Sequence, residues 1–206
     1  DSATRSAGQI RDRFSPDGWL ALADLQKTAR RFATNVKPGD DATRSMTVLL
    51  RKLAGFSGLV HENMYRFTGW RFLEIGRRIE RGIHMARMLG TLAARKGPDG
   101  GLDMLLEIGD SVLTHRRQFS VNSSRTTVIE ILGLDPLNPR SIAFQLERLK
   151  AEIAELPGSE ASHLSPAAKE VLNLHTKLSI SEAKDLDTPQ FNEIVSGLGT
   201  VSDLLS

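Results

Sequence analysis

The sequence predicts an all-α fold, an up-and-down bundle of many helices, and three observations support it. Apolar residues recur every three to four positions along most of the 206-residue chain, which is the spacing of a helix with one buried face. No useful length of sequence alternates between apolar and polar residues, as a half-buried strand would. Turns rich in proline and glycine separate the periodic segments. We therefore expect about eight or nine helices.

The N-terminal half predicts four helices separated by short turns. Ser15-Pro16-Asp17-Gly18 is a turn in which Ser15 or Asp17 can cap the helix that follows. Residues 37–41, which include Pro38 and Gly39, interrupt the next periodic segment. Apolar periodicity places these helices at residues 2–14, 19–34, 42–63 and 68–95.

The C-terminal half predicts five more helices after a loop at 95–101. Gly133 is a suitable residue to end one of them. Asn138 is expected to cap the next, because Pro139 follows it and proline is favoured at the first helical position. The periodic segments lie at residues 102–118, 125–132, 139–156, 166–184 and 188–205.

We expect one helical domain over residues 1–206, with a polar linker at 157–165 before a C-terminal helical extension. The length suits a single domain. The sequence opens in the middle of a helical pattern at Asp1. This favours the later part of a longer domain, or of a fusion protein.

The composition excludes several kinds of site. Hydrophobic residues make up 40% of the chain and charged residues 25%, as in ordinary globular proteins. The chain has no cysteine, which excludes disulfides, thiolate zinc sites and a cysteine nucleophile, and we expect a cytoplasmic protein. No apolar run approaches the roughly 20 residues that span a membrane, so no membrane partner is expected.

Charge is unevenly distributed along the chain. Residues 1–100 contain 18 Lys and Arg against 10 Asp and Glu, whereas residues 101–206 contain 9 against 15. The halves could complement each other, or the basic half could face an acidic partner or nucleic acid. A nucleic-acid surface usually shows a recognisable module or cationic clusters with exposed aromatic residues. Neither is visible, so no nucleic-acid partner is expected.

The most informative segment is Trp70–Leu89, which reads as one long helix. At 100° per residue, Arg77 and Arg81 lie with Trp70 on the side opposite the expected core face, and we expect that side to be partly covered. These arginines are also compatible with a dimer seam, so a homo-oligomer is one alternative. The expected core face carries Phe72, Ile75, Gly76, Ile79, Ile83, Ala86 and Gly90.

Glu80 is the candidate centre of a polar site on this helix. Arg77 lies three residues before it and His84 four after, so these side chains are neighbours. They could form an ion-pair network that fixes helix register. They could instead form a pocket that binds an amine through Glu80 and a carboxylate or phosphate through Arg77 or Arg81. Glu80 could also be a general acid or base, although no partner group is evident.

Other catalytic signatures are absent from the sequence. It contains no phosphate-binding glycine loop and no His-Glu-x-x-His motif. The histidines are scattered, and Glu80 and His84 are four residues apart, whereas di-metal bundles use Glu-x-x-His pairs on inward faces. We therefore expect no metal or other cofactor, and a domain that is not catalytic by itself.

Three segments resemble the bacterial alpha-E domain family, which is named for its Glu-Arg motif. Gly69–Arg81 carries the most specific part of the likeness. Residues 10–13, with Arg11 and Asp12 at a helix end before Trp19, are similar to a second family segment. Residues 135–141, including Arg140, together with Gln145-Leu-Glu-Arg148 form the third. The resemblance implies an all-helical bacterial domain of poorly known function. It adds Arg11, Asp12 and Arg140 to the candidate binding residues Trp70, Arg77, Glu80 and Arg81.

The resemblance also implies partners. Alpha-E domains occur fused to, or beside, ATP-grasp ligase-like and transglutaminase-like proteins, which suggests the formation of peptide or amide bonds. We therefore expect an accessory or substrate-binding domain of such a ligase system. The alternatives are an enzyme that uses a Glu-Arg pocket by itself and a purely structural interaction module. The Asp135–Arg140 loop could likewise be loop architecture alone, or Arg140 could meet an acidic ligand.

Overall fold

The computed structural model describes residues 1–119, 122–158 and 163–206, apart from the side chain of Asp40. Regular secondary structure in these ranges is helical throughout, with no β-strand, which confirms the predicted all-α multi-helix fold. A 3₁₀ turn at Arg11–Arg13 follows α1, and a π-helical turn at Glu130–Leu134 continues α7. The α-helices are α1 (Ser2–Gln9), α2 (Pro16–Asn35), α3 (Asp40–Asn63), α4 (Thr68–Leu92), α5 (Gly101–Ile108), α6 (Val112–Gln118), α7 (Arg125–Ile129), α8 (Ile142–Ala154), α9 (Pro166–Ser179) and α10 (Thr188–Leu204).

The chain divides into two compact units, residues 1–70 and 71–206. In the first unit α2 packs along α3. Ser15 caps α2, because its hydroxyl accepts a hydrogen bond from the backbone N–H of Gly18 at 3.1 Å. The single domain over residues 1–206 stays a prediction, within which the structure distinguishes these two units.

The second unit has a continuous apolar core. The core receives side chains from α4, α5, α7, the π-helical turn, α8, α9 and α10, among them Leu89, Leu132 and Leu146, which are fully buried. The two C-terminal helices contribute Val171 and Phe191 to this core. They are therefore part of the packed unit. Of the linker predicted at 157–165, residues 159–162 lie outside the described residues.

Two glycines let α10 approach α4 closely. A Cβ on Gly82 would lie 2.8 Å from Leu198 Cδ1, and one on Gly90 would lie 3.3 Å from Phe191 Cβ. The hydroxyl of Thr188 donates a hydrogen bond to the Gly90 carbonyl at 2.7 Å. Gly76 differs, because it is exposed and an added Cβ would meet nothing within 4 Å. Among the residues described, Gly76 therefore does not lie on the buried face where its periodicity placed it.

The helix predicted over 102–118 is broken into α5 and α6. A Cβ on Gly109 would lie 2.5 Å from Leu132 Cδ2, so the chain turns where it meets the π-helical turn. Asp110 then adopts a left-handed φ of 48°. The buried Ser111 hydroxyl donates to the Gly109 carbonyl at 2.8 Å and accepts from Asn138 Nδ2 at 3.0 Å. Tertiary contacts therefore fix a break that periodicity alone does not reveal.

Two predicted helix boundaries near residue 135 are wrong. The chain does not end its helix at Gly133, because the backbone N–H of Asp135 donates to the Glu130 carbonyl at 2.9 Å and closes a π-helical turn. Asn138 does not cap α8. Its Oδ1 instead accepts from the N–H of Arg140 at 3.0 Å, and Ser141 Oγ caps the helix by accepting from Phe144 N at 3.0 Å. Helix α8 therefore begins at Ile142.

Within the described ranges, no helix combines the length and the apolar character needed to cross a membrane.

Gly82→Ala and Gly76→Ala form a matched pair that tests the packing of α4. Alanine removes the helix-propensity cost of about 1 kcal/mol at both positions. At Gly82 the new methyl group must displace the buried Leu198 side chain, which costs about 1–3 kcal/mol. We expect Gly76→Ala to raise the free energy of unfolding in urea. The free energy of unfolding of Gly82→Ala should be lower than that of Gly76→Ala by more than about 1 kcal/mol. Equal stabilities would contradict the close contact of α4 with α10.

Candidate functional site

A buried carboxylate lies at the centre of the polar network on α4. Glu74 is 4% exposed. Its Oε1 lies 2.5 Å from Arg77 Nη1, and its Oε2 lies 2.6 Å from Arg78 Nη2. The three residues are spaced at i, i+3 and i+4, so one helix brings them together. Both carboxylate oxygens are therefore engaged by guanidinium groups.

Gln145 joins this network to the segment before α8. Its side chain is fully buried. Its Oε1 accepts a hydrogen bond from Arg78 Nη1 at 3.2 Å, and its Nε2 donates to the Pro139 carbonyl at 2.7 Å. This chain of contacts connects Arg78 on α4 to the backbone immediately before Arg140.

Arg81 and Arg140 add two more positive charges beside the network. Arg81 lies four residues after Arg77 and three after Arg78, so these side chains share one side of α4. Partial burial and the neighbouring guanidinium groups of Arg78, Arg140 and Arg77 lower the pKa of Arg81, while Glu74 opposes them. Within the described parts of the chain, neither the Arg81 nor the Arg140 side chain forms an ion pair or a hydrogen bond. Four guanidinium groups therefore accompany one buried carboxylate.

An aromatic ring links a fifth arginine to the same surface. The Arg78 guanidinium lies 5.7 Å from the Phe144 ring centroid, and the Arg148 guanidinium lies 5.3 Å from it. Both distances are within the range of a cation–π contact. Phe144 thus holds arginines from α4 and α8 against one ring.

The chain contains two Glu-Arg dipeptides, and the glutamate of each contacts a histidine. Glu80 pairs with His84 of the same helix at 3.1 Å, whereas Glu147 pairs with His175 of α9 and with Lys150, both at 2.8 Å. Arg81 and Arg148, the residues that follow each glutamate, lie at the arginine cluster. Consecutive helix residues point about 100° apart, so the two side chains of one dipeptide face different neighbours. The glutamate forms a peripheral ion pair and the arginine joins the cluster.

Comparison with known proteins assigns this arrangement to a family. The family model described as "a predicted alpha-helical domain with a conserved ER motif", Alpha-E, matches residues 1–206. The chain belongs to the Alpha-E family. The resemblance found in the sequence is therefore confirmed. The chain itself contains Glu-Arg at residues 80–81 and 147–148.

Curated relatives of this Alpha-E chain are bacterial and uncharacterized. Uncharacterized proteins of Mycobacterium bovis and of Mycobacterium tuberculosis are each 31% identical to it over 193 residues. The similarity covers 88% of this chain and 21% of each relative. The chain therefore spans about a fifth of the length of the curated relatives it matches. No solved structure matches it significantly.

The structure brings three of the predicted site residues of this Alpha-E chain together. Arg77, Arg81 and Arg140 all lie at the network around Glu74. Glu80 does not join them, because its side chain is 71% exposed and pairs with His84. The carboxylate beside the arginines is therefore Glu74, which lies six residues before the expected Glu80.

The other predicted site residues lie in the unit formed by residues 1–70. The Arg11 guanidinium lies 4.9 Å from the Trp19 ring centroid, while Asp12 pairs with Arg13 at 3.2 Å on the surface. Trp70 is buried, with the Arg66 guanidinium 4.9 Å from its ring centroid. Each arginine packs on a tryptophan of the same unit, which is a local stabilising contact.

Sequence reasoning missed Glu74, Arg78 and Gln145. A signal for Glu74 was present, because it precedes Arg77 and Arg78 by three and four residues. It also shares its side of the helix with Met85, which lies three turns further along and is buried. Gln145 gave no such signal, since a polar residue between apolar neighbours shows its partners only in the folded chain.

Glu74→Gln tests whether this carboxylate organises the network. The amide would place a donor against guanidinium donors and leave Arg77 and Arg78 without a counter-charge. Removing one partner of a buried pair costs about 3 kcal/mol, so we expect a loss of that order in urea unfolding. The matched control Glu80→Gln removes an exposed ion pair and should cost at most about 0.5 kcal/mol. The reverse order of stabilities would sink the assignment of Glu74 as the central carboxylate.

Proposed function

We propose that this Alpha-E domain is the accessory or substrate-binding part of an ATP-grasp-associated system that forms peptide or amide bonds. One observation supports this proposal. Arg77 and Arg78 pair with the buried Glu74, while the side chains of Arg81 and Arg140 beside them form no ion pair or hydrogen bond within the described residues. Such an excess of guanidinium groups is suited to bind an anionic group of a substrate.

The chemistry of the proposed partner fits an arginine-lined site. ATP-grasp ligases join a carboxylate to an amine through an acyl phosphate, so both the substrate and the intermediate are anionic. Guanidinium groups match the oxygens of carboxylates and phosphates alike. We propose that the domain binds such a group for a cytoplasmic ATP-grasp ligase-like or transglutaminase-like partner.

A stand-alone enzyme fits the site less well. Glu74 is buried and both of its oxygens lie within ion-pair distance of Arg77 and Arg78, so this carboxylate is poorly placed to reach a substrate. Glu80 is free of the arginine cluster, but it lies exposed beside His84. The arrangement therefore favours binding over proton transfer.

A structural interaction module is the second candidate function. The contacts from Glu74 through Arg78 to Gln145 tie α4 to the segment before α8, and they would fix helix packing even without a ligand. In that case the unpaired arginines would serve a protein interface. Both candidates predict an unreactive domain, and they differ in what Arg81 and Arg140 contact.

The proposed partner can be tested by affinity purification of the complete reading frame from its native host after nuclease treatment. We expect an ATP-grasp or transglutaminase-like protein to be enriched, and to be lost with Arg81→Glu/Arg140→Glu. These two arginines are chosen because they are exposed and unpaired in the described structure, whereas reversing Arg77 would set a charge against buried Glu74. Bound proteins are quantified by mass spectrometry.

The matched control is Arg87→Glu, which changes an exposed arginine on another side of α4. Circular dichroism must show that both variants keep the helical content of the wild-type protein. If the partner is still enriched with Arg81→Glu/Arg140→Glu, the proposed role of the arginine cluster is contradicted. Absence of any ligase-like protein would sink the accessory-domain proposal.

A further inference from the structure

We propose that Arg81 and Arg140, supported by Arg77 and Arg78, bind a phosphoryl dianion in preference to a carboxylate. This inference rests on the proposed substrate-binding function and narrows its ligand class. It depends on the balance of charge around Glu74, on the directions from which the arginines approach, and on the space beside Arg140.

The charge balance leaves a surplus that one carboxylate cannot neutralise. Arg77 and Arg78 share the single charge of Glu74. Within the described residues, neither Arg81 nor Arg140 has a carboxylate at ion-pair distance, although Asp110 and Asp135 line the groove that Arg140 borders. A bound carboxylate would supply one negative charge, whereas a phosphoryl group supplies nearly two at neutral to basic pH. The surplus therefore favours the more highly charged anion.

This surplus is local, because another arginine of the same helix is fully paired. Arg71 lies 3.0 Å from Glu152 of α8 and 3.2 Å from Glu155, the residue that follows this helix. Near its start, helix α4 therefore forms ion pairs with carboxylates, whereas no carboxylate among the described residues pairs with Arg81. If the cluster were purely structural, we would expect Arg81 to pair with a carboxylate in the same way.

The arginines reach the site from two elements, which also favours phosphate geometry. Arg81 projects from α4, and Arg140 lies on the segment before α8. A carboxylate presents two oxygens in one plane, as Glu74 does to Arg77 and Arg78, two arginines of one helix. A phosphoryl group presents three oxygens in a tetrahedral arrangement, so guanidinium groups from different directions can each bind it.

A groove beside Arg140 provides room for the rest of the ligand. Its volume is about 340 Å³, and Ser111, Asn138, Asp110 and Asp135 contribute to its lining. The two carboxylates disfavour a second anionic group there. The ligand is therefore expected to carry its phosphoryl group at the arginines and a neutral or cationic portion in the groove.

Backbone amide NMR shifts of the full chain at pH 8 and constant ionic strength test the preference. The probes are inorganic phosphate, sulfate and acetate at millimolar concentrations. We expect phosphate and sulfate to bind at least about tenfold more tightly than acetate. In Arg81→Gln and in Arg140→Gln the dissociation constant for phosphate should rise at least about tenfold. In the control Arg87→Gln it should stay unchanged.

Equal affinity for acetate and phosphate would overturn the preference for a dianion. Unchanged phosphate binding in both Arg81→Gln and Arg140→Gln would overturn the location. General stabilisation by sulfate and phosphate acts on every variant alike, so only the difference between variants counts. Because these measurements need no partner protein, their failure is distinguishable from failure of the affinity purification.

A phosphoryl group could belong to a soluble acyl phosphate or to a lipid headgroup, and two further arms distinguish them. Acetyl phosphate competing with phosphate at the same amides would support the soluble ligand. Sedimentation with phosphatidylcholine vesicles that contain phosphatidate, lost in Arg81→Gln, would instead place the phosphoryl group on a membrane surface. If acetyl phosphate does not compete with phosphate and the protein does not sediment with the vesicles, the proposal is overturned.

Discussion

The contact on which the candidate site depends is the pairing of buried Glu74 with Arg77 and Arg78. An ionised carboxylate at 4% exposure is expensive to bury unless charged partners and hydrogen bonds compensate it. Here two guanidinium groups do so, and Gln145 fixes one of them. Since Gln145 also binds the Pro139 carbonyl, the same pairing sets where α8 begins relative to α4. The position of Arg140 follows from it.

The network concentrates positive charge where a helix bundle ordinarily avoids it. Like charges three and four residues apart destabilise a helix unless something compensates them. Glu74 compensates Arg77 and Arg78, whereas partial burial and the guanidinium groups of Arg78, Arg140 and Arg77 lower the pKa of Arg81. An anion bound at Arg81 would offset the repulsion among these arginines. This is the physical reason to read the cluster as a binding surface and not only as a brace between helices.

The arrangement also gives a physical meaning to the Glu-Arg pair that characterises the Alpha-E family. Because neighbouring residues on a helix diverge, each glutamate is free to hold a histidine while its arginine faces the cluster. Half-buried Arg78 and exposed Arg148 both lie over Phe144, so arginines of two helices share one apolar ring. The motif thus combines a peripheral ion pair with a contribution to one charged surface.

The sequence by itself determined the all-α fold, the approximate helices and the family, because 3.6-residue periodicity, caps and turns act over a few neighbouring residues. It also identified Arg77, Arg81 and Arg140 as candidates. Only tertiary structure decided that Glu74, and not Glu80, is the buried carboxylate, since both fit the helical spacing and burial depends on neighbouring helices. The break at Gly109 and the cap at Ser141 were likewise set by contacts with residues distant in sequence, which local patterns do not encode.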